Sequence, residues 1–205
     1  MAGEPPPGGS STGYLETALG ILSYAELAPR LAERVLRLER LIFADQFADQ
    51  TLSPEFLCEL HDGIAGDLAP DWAGRWRAVA VCVGSHEPPP PHQVPLRMRD
   101  FTDDLQMRLA CLPPNPDDLL LETLAFAEGR LLSIHPFADF NGRVTRLFLT
   151  ELLHRLRLPP VALAPSQPAD EAEYLAALRA GDTGDWQPLM AVWRRRFEQG
   201  FPLLG

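Results

Sequence analysis

From Tyr24 to Phe47 the apolar residues Leu27, Leu31, Val35, Leu38, Leu41 and Ile42 recur at intervals of three and four. That is the period of one helix face, and such a stripe must be buried against other elements. Pro29 falls near the start of this helix, where proline is better tolerated. Ser53-Pro54-Glu55 reads as an N-cap, a first-turn proline and an acidic first turn, opening a helix with Phe56, Leu57, Leu60, His61 and Ile64. Helical patterns return at about 97–110, 116–132, 143–156, 169–180 and 186–198, and a short helix is expected over Tyr14 to Leu22. Residues 76–83, WRAVAVCV, form the one clear strand-like run. The proline-rich SHEPPPPHQVP after it cannot be a central strand, so an edge hairpin or loop is placed there. The chain reads as mostly α with one small β element. Residues 1–11 read as a flexible Pro/Gly/Ser leader, 12–48 as an N-terminal helical extension and 49–200 as the main domain.

At 205 residues and 46% apolar, the chain can bury a substantial core. A net charge of -10 argues against a broad grip on nucleic acid or anionic lipid, although a local basic cluster could still hold one small anion. Cys58, Cys82 and Cys111 match no zinc or CxxC spacing and read as reduced thiols. The start lacks the basic and apolar segments of a signal peptide, and no apolar run reaches bilayer-spanning length. A cytoplasmic protein without nucleic-acid or membrane partners is expected.

The segment SIHPFADFNGRVTR, residues 133–146, carries the chemistry. An apolar helix ends before His135, Pro136 blocks its continuation, and Asn141-Gly142 signals a loop before the next amphipathic helix. The free amides and dipole of that second helix start suit an anion. Arg143 and Arg146, three apart, share a face of its first turn and add two guanidinium groups. Asp139 could hold a magnesium ion bridging phosphate oxygens. His135 has an unperturbed pKa near neutrality and could take a proton from an attacking hydroxyl. Base, metal ligand and anion cradle are the parts of a phosphoryl- or nucleotidyl-transfer site.

This segment resembles the Fic signature HPFx(D/E)GNGRxxR, departing from it at Phe140, where most of that family has glycine. The stretch Trp72-Ala-Gly-Arg-Trp-Arg77, then Val83-Gly84, His86-Glu-Pro-Pro89 and Val94-Pro95, is similar to the family's lead into its substrate-docking flap. Pro159-Pro160 and the closing YLAALRAGDTGDWQPL are similar too, so the resemblance covers about residues 50–195. It implies a Fic-like helical domain with a small β-hairpin flap, transferring AMP from ATP to a Ser, Thr or Tyr hydroxyl of a target protein. On this resemblance His135 is the base and Asp139 the ligand of Mg2+ on the nucleotide. Asn141 and Gly142 line the anion hole, Arg143 binds outer phosphates, Arg146 binds the γ-phosphate, and Phe137 anchors the loop. The flap residues Val83, Gly84, Ser85, His86, Glu87 and Pro88 pair with an extended target segment. Gly142, which the phosphate-transferring Doc-like group replaces with a bulkier residue, is kept.

Many Fic proteins carry an inhibitory helix with [S/T]xxxE[G/N]. Thr12-Gly-Tyr-Leu-Glu16-Thr17 fits except at its last place, and the same spacing recurs at Thr51 and Glu55. Glu16 is thus either an inhibitory residue or an ordinary glutamate, and in the second case inhibition falls to an antitoxin-like partner. Two rivals to the adenylyltransferase reading remain. One is a weakly active or non-catalytic binding module whose pocket Phe140 has closed. The other is a metal-dependent hydrolase on His135 and Asp139, for which His154 is a poor third ligand.

Overall fold

Ser23 caps the first long helix, α1 (Tyr24–Phe43): its side chain accepts from the amide of Glu26 while Glu26 reaches back to the amide of Ser23. The computed structural model describes residues 13–114, 118–165 and 167–200. The expected leader at 1–11, and Thr12, lie outside them. Leu27, Leu31, Leu38 and Ile42 form the buried stripe of α1, as their spacing requires. The helix stops four residues before the expected Phe47, because Asp45 takes a left-handed conformation (φ 57°) and turns the chain. Phe47 stays in the core off the helix, edge-on to Phe56 at 5.4 Å.

Six more helices follow among the described residues: α2 (Pro54–Ala65), α3 (Val94–Ala110), α4 (Asp118–Ile134), α5 (Asn141–Arg155), α6 (Pro168–Asp182) and α7 (Gln187–Gly200). Helix α4 packs against α3, α5, α6 and α7 and buries residues around its whole circumference, as a central helix must. Helix α5 packs against α1, α2 and α4. The loop joining the two most enclosed helices is therefore the segment that carries the candidate chemistry.

Two expectations fail. Residues 14–22 are not helical: β1 (Tyr14–Thr17) and β2 (Gly20–Ser23) form an antiparallel hairpin in which Glu16 faces Ile21. Gly20 at φ 102° makes its tight turn, and the hydroxyl of Thr17 ties it by donating to the carbonyl of Gly20 at 2.8 Å. The run 76–83 is not a strand either; only an isolated bridge joins Val83 to His86. The prolines that follow have no amide to donate to a ladder, and the amide of Arg77 is taken by the carbonyl of Pro136 at 2.9 Å. The flap is thus an irregular tight turn, and the two-stranded sheet lies instead at the N-terminal end of the described residues.

Candidate active site

The loop after α4 is held by its own side chains. His135 turns the chain away at φ 49°, with its amide still donating to the carbonyl of Leu131 at 3.1 Å. Phe137 is fully buried and stacks on His61 with centroids 4.0 Å apart. Asn141 closes the loop: its Oδ1 accepts from the amide of Phe137 and its Nδ2 donates to the carbonyl of Phe137, both at 2.9 Å. Its carboxamide is therefore committed to loop shape, leaving its backbone amide for an anion.

Phe140 adopts the conformation a glycine would take, φ 59°. The strain of a left-handed residue, about 1–2 kcal/mol, is offset by burying the ring, about 1.5–3 kcal/mol. That ring is 3% exposed and sits 5.7 Å from Trp72 and 6.5 Å from His61. It points into the core and does not close the pocket.

Helix α5 begins directly at Asn141. The amides of Arg143 and Val144 both donate to the carbonyl of Phe140, at 2.9 and 3.0 Å, while those of Asn141 and Gly142 have no acceptor within the helix. Among the described residues neither Arg143 nor Arg146 has an acidic partner within ion-pair distance, and desolvation followed by the charge of Arg143 lowers the pKa of Arg146. Two unneutralised guanidinium groups beside free amides attract phosphate. Arg146 lines a cavity of about 180 Å³ together with His135, Gly142, Thr145, Leu132, Leu175 and Leu178, while Arg143 lines a neighbouring groove that Arg146 shares. Thr145 is 2% exposed and its hydroxyl has no hydrogen-bond partner among the described residues, an unmet polar group in the wall of this cavity.

His135 is largely enclosed, and burial brings its pKa down to about 4. Its ring is therefore neutral at pH 7 and free to accept a proton. The Asp139 carboxylate accepts from the amide of Phe140 at 2.6 Å through Oδ1 and from the hydroxyl of Tyr24 through Oδ2. Burial and that bond push the pKa of Tyr24 well above the ordinary range, so its hydroxyl stays a donor. No group of three or more His, Cys, Asp or Glu side chains that could hold a metal occurs among the described residues. A single carboxylate beside an anion cradle does fit Mg2+, which is usually held by one or two carboxylates together with substrate phosphates. The hydrolase alternative does not fit, for His154 is engaged with Asp45 at 2.8 Å.

The Fic/DOC family model matches residues 51–153, half of the chain. The chain belongs to this family. A Nematostella vectensis protein adenylyltransferase Fic is 34% identical over 134 residues, covering 65% of this chain and 30% of that protein. A Caenorhabditis elegans protein adenylyltransferase, fic-1, is 34% identical over 139 residues, 68% of this chain and 26% of its own length. The chain thus spans about 30% or less of these curated relatives. Among solved structures, C. elegans Fic-1 superposes with a TM-score of 0.64 at 26% identity over 81% of this chain and 47% of that one. The Bartonella tribocorum BepC protein, solved with bound AMPPNP, superposes at 0.69 and 17% identity over 92% and 94% of the two chains, which shows the shared fold.

Two residues that contact this loop are not among the expected site residues. Tyr24 is one. Arg77 is the other: 3% exposed, it donates to the carbonyls of His135 at 2.8 Å, Val79 at 3.0 Å, Ile134 at 3.4 Å and Pro89. It ties the Fic loop to both arms of the flap. An arginine at the head of an apolar run was the available signal, but nothing local shows that it turns inward. Of the expected flap residues, Val83 and His86 spend their backbones on each other, at 2.9 and 3.1 Å, around Gly84 at φ 62°. The His86 ring reaches the carbonyl of Ser133 at 2.9 Å and Asp182 at 3.1 Å, and Arg179 donates to the carbonyl of Val83 at 3.0 Å. Gly84, Ser85 and Glu87 are exposed at the tip, while Pro88 is half-buried. Glu16 is exposed on β1 and forms no ion pair with Arg146 among the described residues.

Proposed function

We propose that the chain is a protein adenylyltransferase, moving AMP from ATP to a Ser, Thr or Tyr hydroxyl of a target protein. The observation that carries this is a neutral, enclosed His135 beside a helix N-terminus with two arginines that have no ion-pair partner among the described residues. The target oxygen attacks the α-phosphorus while His135 takes the hydroxyl proton. The bond from the α-phosphorus to the α–β bridging oxygen breaks, and pyrophosphate leaves with that electron pair. The amides of Asn141 and Gly142 hold the α- and β-phosphate oxygens, and Arg143 and Arg146 hold the outer phosphates. Asp139 would hold Mg2+, whose chemistry here is neutralisation of phosphate charge. Gly142 leaves backbone room for the diphosphate, which favours nucleotidyl over phosphoryl transfer. The apolar lining of the cavity, Leu132, Leu175 and Leu178, suits a nucleobase.

The target docks along the flap. With Val83 and His86 paired to each other, the edge for β-augmentation lies upstream. There Ala78, Val79 and Ala80 are exposed, and the backbones of Ala78, Ala80 and Val81 make no hydrogen bond among the described residues. An antitoxin-like inhibitor fits a separate groove of about 420 Å³ beside Arg143 and Arg146, walled by Ala28, Ala32 and Val35 of α1 and by Val161, Ala162 and Leu163. A reducing, cytoplasmic setting agrees with three unpaired cysteines. No described helix is long and apolar enough to cross a membrane.

The test is incubation with Mg2+, cell lysate and ATP labelled at the α- or the γ-phosphate. Protein label from the α-phosphate, abolished by His135→Ala, supports adenylylation. Label from the γ-phosphate alone indicates phosphotransfer, and equal labelling by His135→Ala rejects the assignment of the base.

A further inference from the structure

Tyr24 lies outside residues 51–153, the segment that matches the family model, yet its hydroxyl donates to Oδ2 of Asp139. It is held there from three directions. As the first residue of α1 it follows the Ser23–Glu26 capping box, its amide donates to the carbonyl of Gly13 at 3.1 Å, and its ring is part-buried against the core. Helix α1 in turn packs on α5, whose N-terminus is the anion cradle.

The bond decides what Asp139 can do. The terminal torsion of an aspartate is broad, so an unrestrained carboxylate samples many orientations. Here the amide of Phe140 holds Oδ1 at 2.6 Å and Tyr24 holds Oδ2, so the plane of the carboxylate is set from both sides. Each oxygen of an ionised carboxylate has two acceptor directions, so one on each remains open. Arg143 stands close enough for its charge to act on the Tyr24 hydroxyl. A carboxylate released from Tyr24 could therefore swing toward that guanidinium, losing its own orientation and neutralising part of the phosphate cradle.

We propose that Tyr24 is a positioning residue that fixes the Asp139 carboxylate for the cation carried by the nucleotide. This rests on the adenylyltransferase reading and brings the N-terminal helix into the site. Donors to a ligating carboxylate typically change metal affinity 10–100-fold when removed, roughly the effect expected here.

Tyr24→Phe deletes the hydroxyl alone. The measurement is the Mg2+ concentration that half-saturates binding of AMPPNP, followed by calorimetry on the full chain, with a parallel series in EDTA. The Mg2+ midpoint is expected to rise about tenfold or more while metal-free binding stays unchanged. Adding Tyr24→Phe to Asp139→Ala is expected to change nothing further, because the group it orients is gone. A merely structural tyrosine would weaken metal-free binding equally and act additively in the double variant, which overturns the proposal. An unchanged midpoint also overturns it, and a lowered one means that Tyr24 obstructs the cation. If Asp139→Ala alone leaves the wild-type midpoint unmoved, the assignment of Asp139 has failed and Tyr24 falls with it. That result is distinct from a failure of Tyr24→Phe alone.

Discussion

The Nε–H of Arg77 donates to the carbonyl of His135 at 2.8 Å, across 58 residues of sequence. The same guanidinium reaches the carbonyls of Val79 and Pro89, so one buried cation joins the backbone of His135 to both arms of the proposed flap. Arg77→Met would remove the donor from four carbonyls, a buried contact at Ile134 and part-buried ones at His135, Val79 and Pro89, and a carbonyl left without a partner away from water costs about 1–3 kcal/mol. We expect a stability loss of about 3 kcal/mol or more in urea unfolding, with labelling lost as well. Arg77→Lys keeps the charge but presents it as a point, without a planar fork, and should recover only part of either quantity.

Phe140→Gly separates strain from burial at the one departure from the family signature. Emptying the site of a buried phenylalanine costs about 3–5 kcal/mol, and relief of the left-handed backbone returns about 1–2 kcal/mol. The variant should unfold about 2 kcal/mol more easily while its labelling activity at low temperature stays within a few-fold of wild type. A large gain in activity would mean that the phenylalanine throttles the loop.

What the sequence disclosed follows physical range. The helix faces were legible because burial imposes a period on neighbouring residues, as with Leu27, Leu31, Leu38 and Ile42. The loop was legible because its groups are contiguous from His135 to Arg146. Tyr24 and Arg77 were not, since each acts on residues far away in the chain and neither leaves a local pattern. The hairpin at 14–23 was misread because its four-residue strands are too short to show alternation against a helical background. The run WRAVAVCV was misread for the opposite reason: its composition is that of a strand, but Arg77 and the prolines remove the pairing that makes one.

Glu16→Gly tests the expected brake. An inhibitory glutamate must reach an arginine of the loop, whereas Glu16 is exposed on β1 and unpaired with Arg146 among the described residues. Self-labelling with α-labelled ATP should be the same in Glu16→Gly and wild type. A clear increase would show that the hairpin refolds onto the loop.

Acid should act on stability and activity through two enclosed histidines. Burial lowers the pKa of both His135 and His61 from 6.5 to about 4. The unfolded chain therefore binds more protons than the native protein between those values, and stability must fall as pH drops from 6.5 toward 4. Each histidine can cost at most about 1.36 kcal/mol for every tenfold rise in proton concentration across that window. Unfolding midpoints in urea at pH 7, 5.5 and 4.5 should decline, and His135→Ala should remove about half of the decline, leaving the share of His61. The same burial places the acid limb of kcat/KM, which reports the free enzyme, well below that of an ordinary histidine. If His135 is the base, rates should stay nearly level from pH 8 to 5.5; a half-point near 6.5 would show that the titrating group is not the enclosed ring of His135.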